Sequence, residues 1–344
     1  MIKQAASIAL LVCALTESSR AGDVMPLKGS AGPVAEFEQM KYGLFVCWSL
    51  QVVALGVDIP SKATEKGLDP RALLKPANWT PKHTDPAQWA RVAREAGMKY
   101  AVLTAVHHYD GCFGLWDIPN YEYDVGSSPG KRDVVREFVK ACVAEGIRPG
   151  IYLDGGAFFA QVAARSGVSV TQAIDNVIGD LLTKNPEIFL LWFDFGWKDG
   201  RAIYQAVKRH KPDCLVVQNL VQGARTFFDD GLLSVPADIG CIEFKLPDAS
   251  KVRKQSIIDG QTYYLALESC KTAITSHWFW SEGSQPRDLA YLKQVYQDTT
   301  ARGINLLLDV GPDPDGRIPQ DVVTRLNELR DAVGLKPGVQ PLSK

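Results

Sequence analysis

Ile188-Phe189-Leu190-Leu191-Trp192-Phe193-Asp194-Phe195-Gly196-Trp197 is an unbroken apolar run that ends in one carboxylate and an aromatic-glycine-aromatic turn. Pro186 precedes the run and Gly196 closes it, so it reads as a strand buried on both faces, the kind a parallel sheet requires. An ionised carboxylate inside such a strand carries a severe desolvation cost. At the last position it can look into a cleft instead. An isolated strand-end Asp more often caps the following helix. Here, however, the other strand-like runs of the chain also end in polar or reactive residues.

Outward from that run, the pattern repeats. Strands are expected at Tyr42–Trp48, at Lys99–Val106 leading into His107-His108, and at Pro149–Asp154. Others follow at Cys214–Asn219, Asp238–Glu243, Tyr263–Glu268 and Ile304–Gly311. Helical patterns fall between them, at 84–97, 131–146, about 170–184, 199–210, 285–302 and 318–334. The first opens on Thr84-Asp85-Pro86, with a capping residue and a Pro near N1, and places Trp89, Val92 and Ala93 on one face. Residues 50–82, rich in Pro and Lys and without a strong period, read as a long loop over one face. Eight strands alternating with helices predict a parallel sheet closed into a (β/α)8 TIM barrel, an α/β fold. A doubly wound open sheet is the alternative, but no Gly-x-Gly-x-x-Gly follows its first strand. No linker interrupts residues 23–344, which are expected to form a single catalytic domain with no C-terminal β-sandwich.

The bulk numbers exclude several partners. The 344 residues carry a net charge of −1, which gives no electrostatic case for nucleic acid or an anionic membrane surface. With 8 Trp, 11 Tyr and 13 Phe, the chain can line a pocket for a ligand with apolar faces. Residues 1–22 read as a cleavable signal peptide, with Lys3 before the apolar stretch Ala5–Leu15 and small residues after it, so a secreted or periplasmic protein is expected. That stretch is too short to span a bilayer. The 7 Cys form neither a Cys-x-x-Cys pair nor a regular framework, so they read as buried thiols, without a zinc site or a disulfide scaffold.

In a barrel the C-terminal ends of all strands meet on one rim, where the chemistry sits. That rim is expected to carry Cys47-Trp48, His107-His108, Asp154, Asp194, Asn219, Glu243, Glu268 and Asp309, with Trp116 and Trp197 in nearby loops. Carboxylates, imidazoles and aromatic walls suit a sugar. Asp194 and Glu243 lie two strands apart, which sets their backbones about 10 Å from each other. With both side chains reaching inward, a gap of roughly 5–5.5 Å is accessible, the spacing of a retaining double displacement. In that mechanism Asp194 is the nucleophile and Glu243 the acid/base. Metal-dependent barrel hydrolases usually present His-x-His, whereas adjacent His107 and His108 are expected on opposite faces, so no metal or cofactor is expected.

The chain resembles the α-L-fucosidases of glycoside hydrolase family 29 across nearly all of residues 40–335. Val102-Leu103-Thr104-Ala105-Val106-His107-His108-Tyr109-Asp110-Gly111 with Leu115-Trp116, and Gly150-Ile151-Tyr152-Leu153-Asp154-Gly155-Gly156, are similar to two family segments. Leu191-Trp192-Phe193-Asp194 resembles the nucleophile strand, and Asp238 to Glu243 has the acid/base spacing. Gly303-Ile304-Asn305-Leu306-Leu307-Leu308-Asp309-Val310-Gly311-Pro312 resembles the family's Gly-Asn-Leu-Leu-Leu-Asn-x-Gly-Pro signature. The resemblance implies exo-hydrolysis of terminal α-L-fucosyl residues from a fucosylated oligosaccharide or glycoconjugate. It also implies sugar contacts from Trp48, His107, His108, Trp116, Tyr152, Asp154, Trp197 and Glu268. Two departures stand out. Cys47-Trp48-Ser49 replaces the family's His-Trp-Gly, and Leu220-Val221 replaces an Asp-Arg pair for which Arg225 is the nearest substitute. These departures leave two further readings, a catalytically silent barrel that binds fucosylated glycans and a hydrolase of a related α-L-sugar; a third, a metal-dependent hydrolase, would use His107 and His108 with Asp154 and Asp194. The acid/base lies between Glu243 and Glu268, with Glu268 favoured as an orienting or hydroxyl-binding group.

Overall fold

The computed structural model describes residues 22–56, 70–219, 221–222, 225–226, 234–244 and 246–339. The expected leader, apart from Gly22, and the side chains of Trp197 and Arg225 lie outside the described residues. The strands of the barrel are β1 Tyr42–Val46, β2 Tyr100–Val106, β3 Arg148–Asp154, β4 Leu190–Asp194, β5 Leu215–Asn219, β6 Ile239–Cys241, β7 Ala266–Thr272 and β8 Asn305–Val310. All neighbours pair in parallel, and β1 closes the ring by pairing with both β2 and β8. The expected (β/α)8 barrel is therefore the fold. Among the described residues, no helix is long and apolar enough to cross a membrane.

Helices α1 Gly32–Met40, α2 Pro86–Glu95, α3 Val134–Ala144, α4 Ala157–Ser166, α5 Val170–Lys184, α6 Gly200–His210, α7 Leu289–Ala301 and α8 Gln320–Ala332 accompany the strands. α2 shows how sequence sets an element. Asp85 accepts the Gln88 backbone N–H at 3.0 Å, Pro86 occupies the first turn, and Trp89, Val92 and Ala93 are buried on one face. The sequence reading missed α4. It also took residues 50–82 as a loop, whereas the described part contains the short helices Leu50–Leu55 and Pro70–Leu73.

The seventh strand departs most from expectation. Tyr263 and Tyr264 belong to an antiparallel hairpin, Gln255–Ile258 with Gln261–Tyr264, and the barrel strand starts only at Ala266. Glu268 is therefore the third residue of β7 rather than its end. It pairs in register with Cys241 on one side and Asn305 on the other, inside the barrel and fully buried. Tyr100 and Trp192 meet it there: the Tyr100 hydroxyl donates to Oε2 at 2.6 Å and the Trp192 indole N–H to Oε1 at 2.9 Å. Tyr100 fits because Gly43 in β1 leaves room, since a Cβ there would lie 2.5 Å from the Tyr100 ring. Burial pushes the Glu268 carboxyl up to about 7, opposed by those two donors.

Candidate active site

β3 and β4 run in register, so Asp154 pairs with Asp194 and Tyr152 with Trp192. Side chains two residues apart share a face of a strand. The Tyr152 ring therefore stacks on Trp192, centroids 5.0 Å apart, and its hydroxyl donates to Asp194 Oδ2 at 2.8 Å. The chain can exit both strands side by side only because Gly155 has no Cβ. A Cβ there would lie 2.5 Å from the Gly196 Cα, and the Gly155 N–H donates to the Asp194 carbonyl.

Asn219, the last residue of β5, joins the two candidate reacting groups. Its amide nitrogen donates to Asp194 Oδ1 at 3.0 Å and to Glu243 Oε1 at 2.6 Å. Those two oxygens can be no further apart than the sum of these lengths. That bound is compatible with the roughly 5–5.5 Å of a retaining pair and short of the roughly 6.5–9.5 Å of an inverting one. Glu243 itself lies two residues beyond Cys241 at the end of β6, on a turn with φ 44°.

The electrostatics separate the two carboxyls. Burial raises both. For Asp194 it is opposed by the hydrogen bonds from Tyr152 and Asn219, while Asp154 adds to it and His108 opposes it. For Glu243, burial carries the pKa up to about 7, opposed by the Asn219 hydrogen bond and the Lys271 charge and assisted by the Asp194 charge. Asp194 thus has three donors holding its anion, Tyr152, Asn219 and the Phe195 backbone N–H at 3.1 Å, and Glu243 has one, which suits an ionised nucleophile beside a protonated acid. Removing one of the donors has a readable effect. Tyr152→Phe is expected to raise the Asp194 pKa, so the acid limb of kcat/KM moves up by about one pH unit, since a hydrogen bond to a charged group contributes about that much. A pH–rate profile checks this; an unmoved limb would show that Tyr152 does not support the ionised form.

The histidines do not face opposite ways as expected. β2 ends at Val106 and a 3-10 turn begins at His108, so the two rings stack on each other, centroids 4.4 Å apart at 23°. His107 lines the pocket and stacks on Tyr152 at 5.5 Å. Its Nδ1 accepts the Tyr109 N–H at 3.1 Å, so Nε2 carries the proton, and burial holds the ring well below its usual pKa, neutral and donating. Burial opposes charge on His108 too, but the hydrogen bond its Nδ1–H donates to Asp154 at 3.1 Å and the Asp154, Asp194 and Asp110 charges outweigh it and raise the pKa. Asp154 is buried. Its Oδ1 caps α4 by accepting the N–H groups of Gly156 and Ala157, and its Oδ2 orients His108.

A small cavity lies between these groups. Phe45, Cys47, Thr104, Trp192 and Cys270 line it below Asp194 and Glu243, and Trp278 forms an aromatic wall. Trp278 escaped the sequence reading because it lies in an irregular loop with no strand-end signal. Two expected walls lie elsewhere. Trp48 is buried against Trp79 and Trp89, its N–H donating to the Asp313 carbonyl at 3.1 Å. Trp116 is buried edge-on to Phe158. The described cysteines are buried and form no disulfide. Among the described residues, only Cys241, Glu268 and Cys270, beneath the cavity, converge closely enough to offer three ligand atoms to one ion. His107 and His108 do not form such a group with Asp154 and Asp194.

Comparison with known proteins bears on this site. A family model described as alpha-L-fucosidase matches residues 72–332. Alpha-L-fucosidase 1 of Arabidopsis thaliana is 26% identical over 273 residues, covering 74% of this chain and 53% of that protein. The alpha-L-fucosidase of Dictyostelium discoideum is 27% identical over 267 residues, covering 71% and 53%. The chain thus spans about half the length of these relatives. Among solved structures, a GH29 alpha-L-fucosidase from Bacteroides thetaiotaomicron, trapped as a covalent intermediate with 2-fluoro-fucosyl fluoride, superposes with a TM-score of 0.71 at 22% identity. That match covers 91% of this chain and 77% of the other, and carries the fold.

Proposed function

This chain belongs to the alpha-L-fucosidase family, and from that premise we propose that it is a retaining exo-α-L-fucosidase in which Asp194 is the nucleophile and Glu243 the acid/base. The observation that carries the reading is the Asn219 amide shared by both carboxyls, which keeps them within reach of one sugar ring.

In the first step the Asp194 carboxylate attacks the anomeric carbon. The bond from that carbon to the glycosidic oxygen breaks, and the Glu243 proton passes to the departing oxygen. In the second step water attacks the anomeric carbon, gives its proton to Glu243, and displaces Asp194. Tyr152 and Asn219 hold the Asp194 anion in place, and neutral His107 offers its Nε2–H to a sugar hydroxyl. His108, positioned by Asp154, presents a polar edge to the same side. The trapped covalent intermediate of the Bacteroides relative supports two displacements.

The deciding experiment follows an aryl α-L-fucoside by proton NMR during the first turnovers. Fucose is expected to appear first as the α anomer and to mutarotate afterwards. Initial β-fucose would mean a single displacement, and no turnover at all would favour a silent glycan-binding barrel.

A further inference from the structure

Each candidate reacting carboxylate is followed directly by an exposed phenylalanine. Phe195, after Asp194, is 45% exposed, and Phe244, after Glu243, is 43% exposed. Both turns are unusual, with φ 52° at Phe195 and 44° at Glu243. Side chains of this size rarely occupy the left-handed region, and such strain persists only where the surroundings impose it.

On the Glu243 side the surroundings are explicit. From β7, Ser269 Oγ donates to the Glu243 carbonyl at 2.5 Å and the buried Lys271 amine donates to the Phe244 carbonyl. Glu243 N–H lies 3.4 Å from Cys241 Sγ. The turn is thus fixed with its ring turned outward. That ring stacks on Trp278, centroids 4.8 Å apart at 28°, with His277 at 6.4 Å, and Trp278 itself lines the sugar cavity. An apolar platform therefore runs from the cavity wall out past the proton donor. The oxygen that Glu243 protonates belongs to the leaving group, so whatever it carries emerges on this side.

We propose that Phe244, backed by Trp278, is the leaving-group subsite, and that it takes an aglycone presenting a flat apolar face, either an aryl ring or the C–H face of a pyranose. The inference rests on the fucosidase reading. Phe195 stands on the Asp194 side, edge-on to His108 at 5.1 Å, and is not part of this platform.

The test compares kcat/KM for the wild-type protein, Phe244→Ala and Phe244→Trp on three substrates. α-L-Fucosyl fluoride has no aglycone ring. A 2,4-dinitrophenyl fucoside has a ring but a leaving group that needs little acid assistance. A fucosyl-pyranose disaccharide has a sugar ring and needs the acid. Phe244→Ala is expected to lose about ten-fold on both ring-bearing substrates, a loss typical of one aromatic stacking partner, and to hydrolyse the fluoride near the wild-type rate. Phe244→Trp restores the losses. A loss on only the dinitrophenyl fucoside keeps the subsite and overturns the pyranose as its occupant. A loss on the disaccharide alone overturns the proposal, because it traces to a displaced Glu243 rather than to ring binding. Equal losses on all three, or none, also overturn it. A wild-type protein inert to the fluoride refutes the fucosidase reading itself, separately from the subsite.

Discussion

Asp194→Ala is expected to lose roughly 10³- to 10⁵-fold in kcat, because the first displacement has no other oxygen positioned to attack the anomeric carbon. Tyr152 and Asn219 would each lose an acceptor, a cost of about 1–3 kcal/mol apiece. That loss is local, since Asp194 is the half-buried last residue of β4 and the strand ladder below it is intact. Circular dichroism is therefore expected to show the native fold. Sodium azide, small enough for the space the carboxylate leaves, should recover part of the turnover with an activated fucoside. Because azide then attacks from the Asp194 side, the product should be the β-fucosyl azide. Wild-type turnover in this variant, or recovery that gives the α azide, would remove Asp194 from the nucleophile's role.

Glu243→Ala tests the other half and has a different kinetic pattern. A leaving group that needs a proton should slow by roughly 10²- to 10⁴-fold, the usual contribution of a positioned acid. A dinitrophenyl leaving group needs little help in the first step, so the glycosyl-enzyme should accumulate and produce a burst, because water in the second step lacks its base. Azide attacking that intermediate should give the α-fucosyl azide, the opposite anomer to that from the Asp194 variant. The pH profile adds an independent reading. The acid must be protonated to act, and Glu243 titrates at about 7, so wild-type kcat/KM should fall as pH rises through 7. Glu243→Ala should abolish that limb.

Glu268 is the necessary control, since burial pushes it to about 7 as well. The pH limb alone cannot separate the two groups; geometry does. Glu268 is fully buried between Tyr100 and Trp192, whereas Glu243 borders the cavity and shares Asn219 with Asp194. A limb at pH 7 that survives Glu243→Ala but vanishes in Glu268→Gln would reverse the assignment.

The barrel and the strand-end position of Asp194 were legible in the chain before folding. Both rest on local signals: apolar runs of strand length, helical periods between them, and one carboxylate at the end of a run where burial could not hold it. The capped start of α2 is local in the same way. Which of the two glutamates borders the cavity is visible only in the folded molecule. Glu268 read as a strand end because Tyr263 and Tyr264 resemble the start of the strand, yet they form a hairpin outside the ring, and β7 continues through Ser269, Cys270, Lys271 and Thr272. Polar side chains there find partners across the barrel lumen and in the next turn, and no window of sequence contains those partners. Trp48 and Trp116 against Trp278 show the same limit, since the direction a ring faces depends on strand register and loop packing. The Asn219 bridge is the clearest case. It joins residues 194, 219 and 243, whose proximity exists only once the ring has closed.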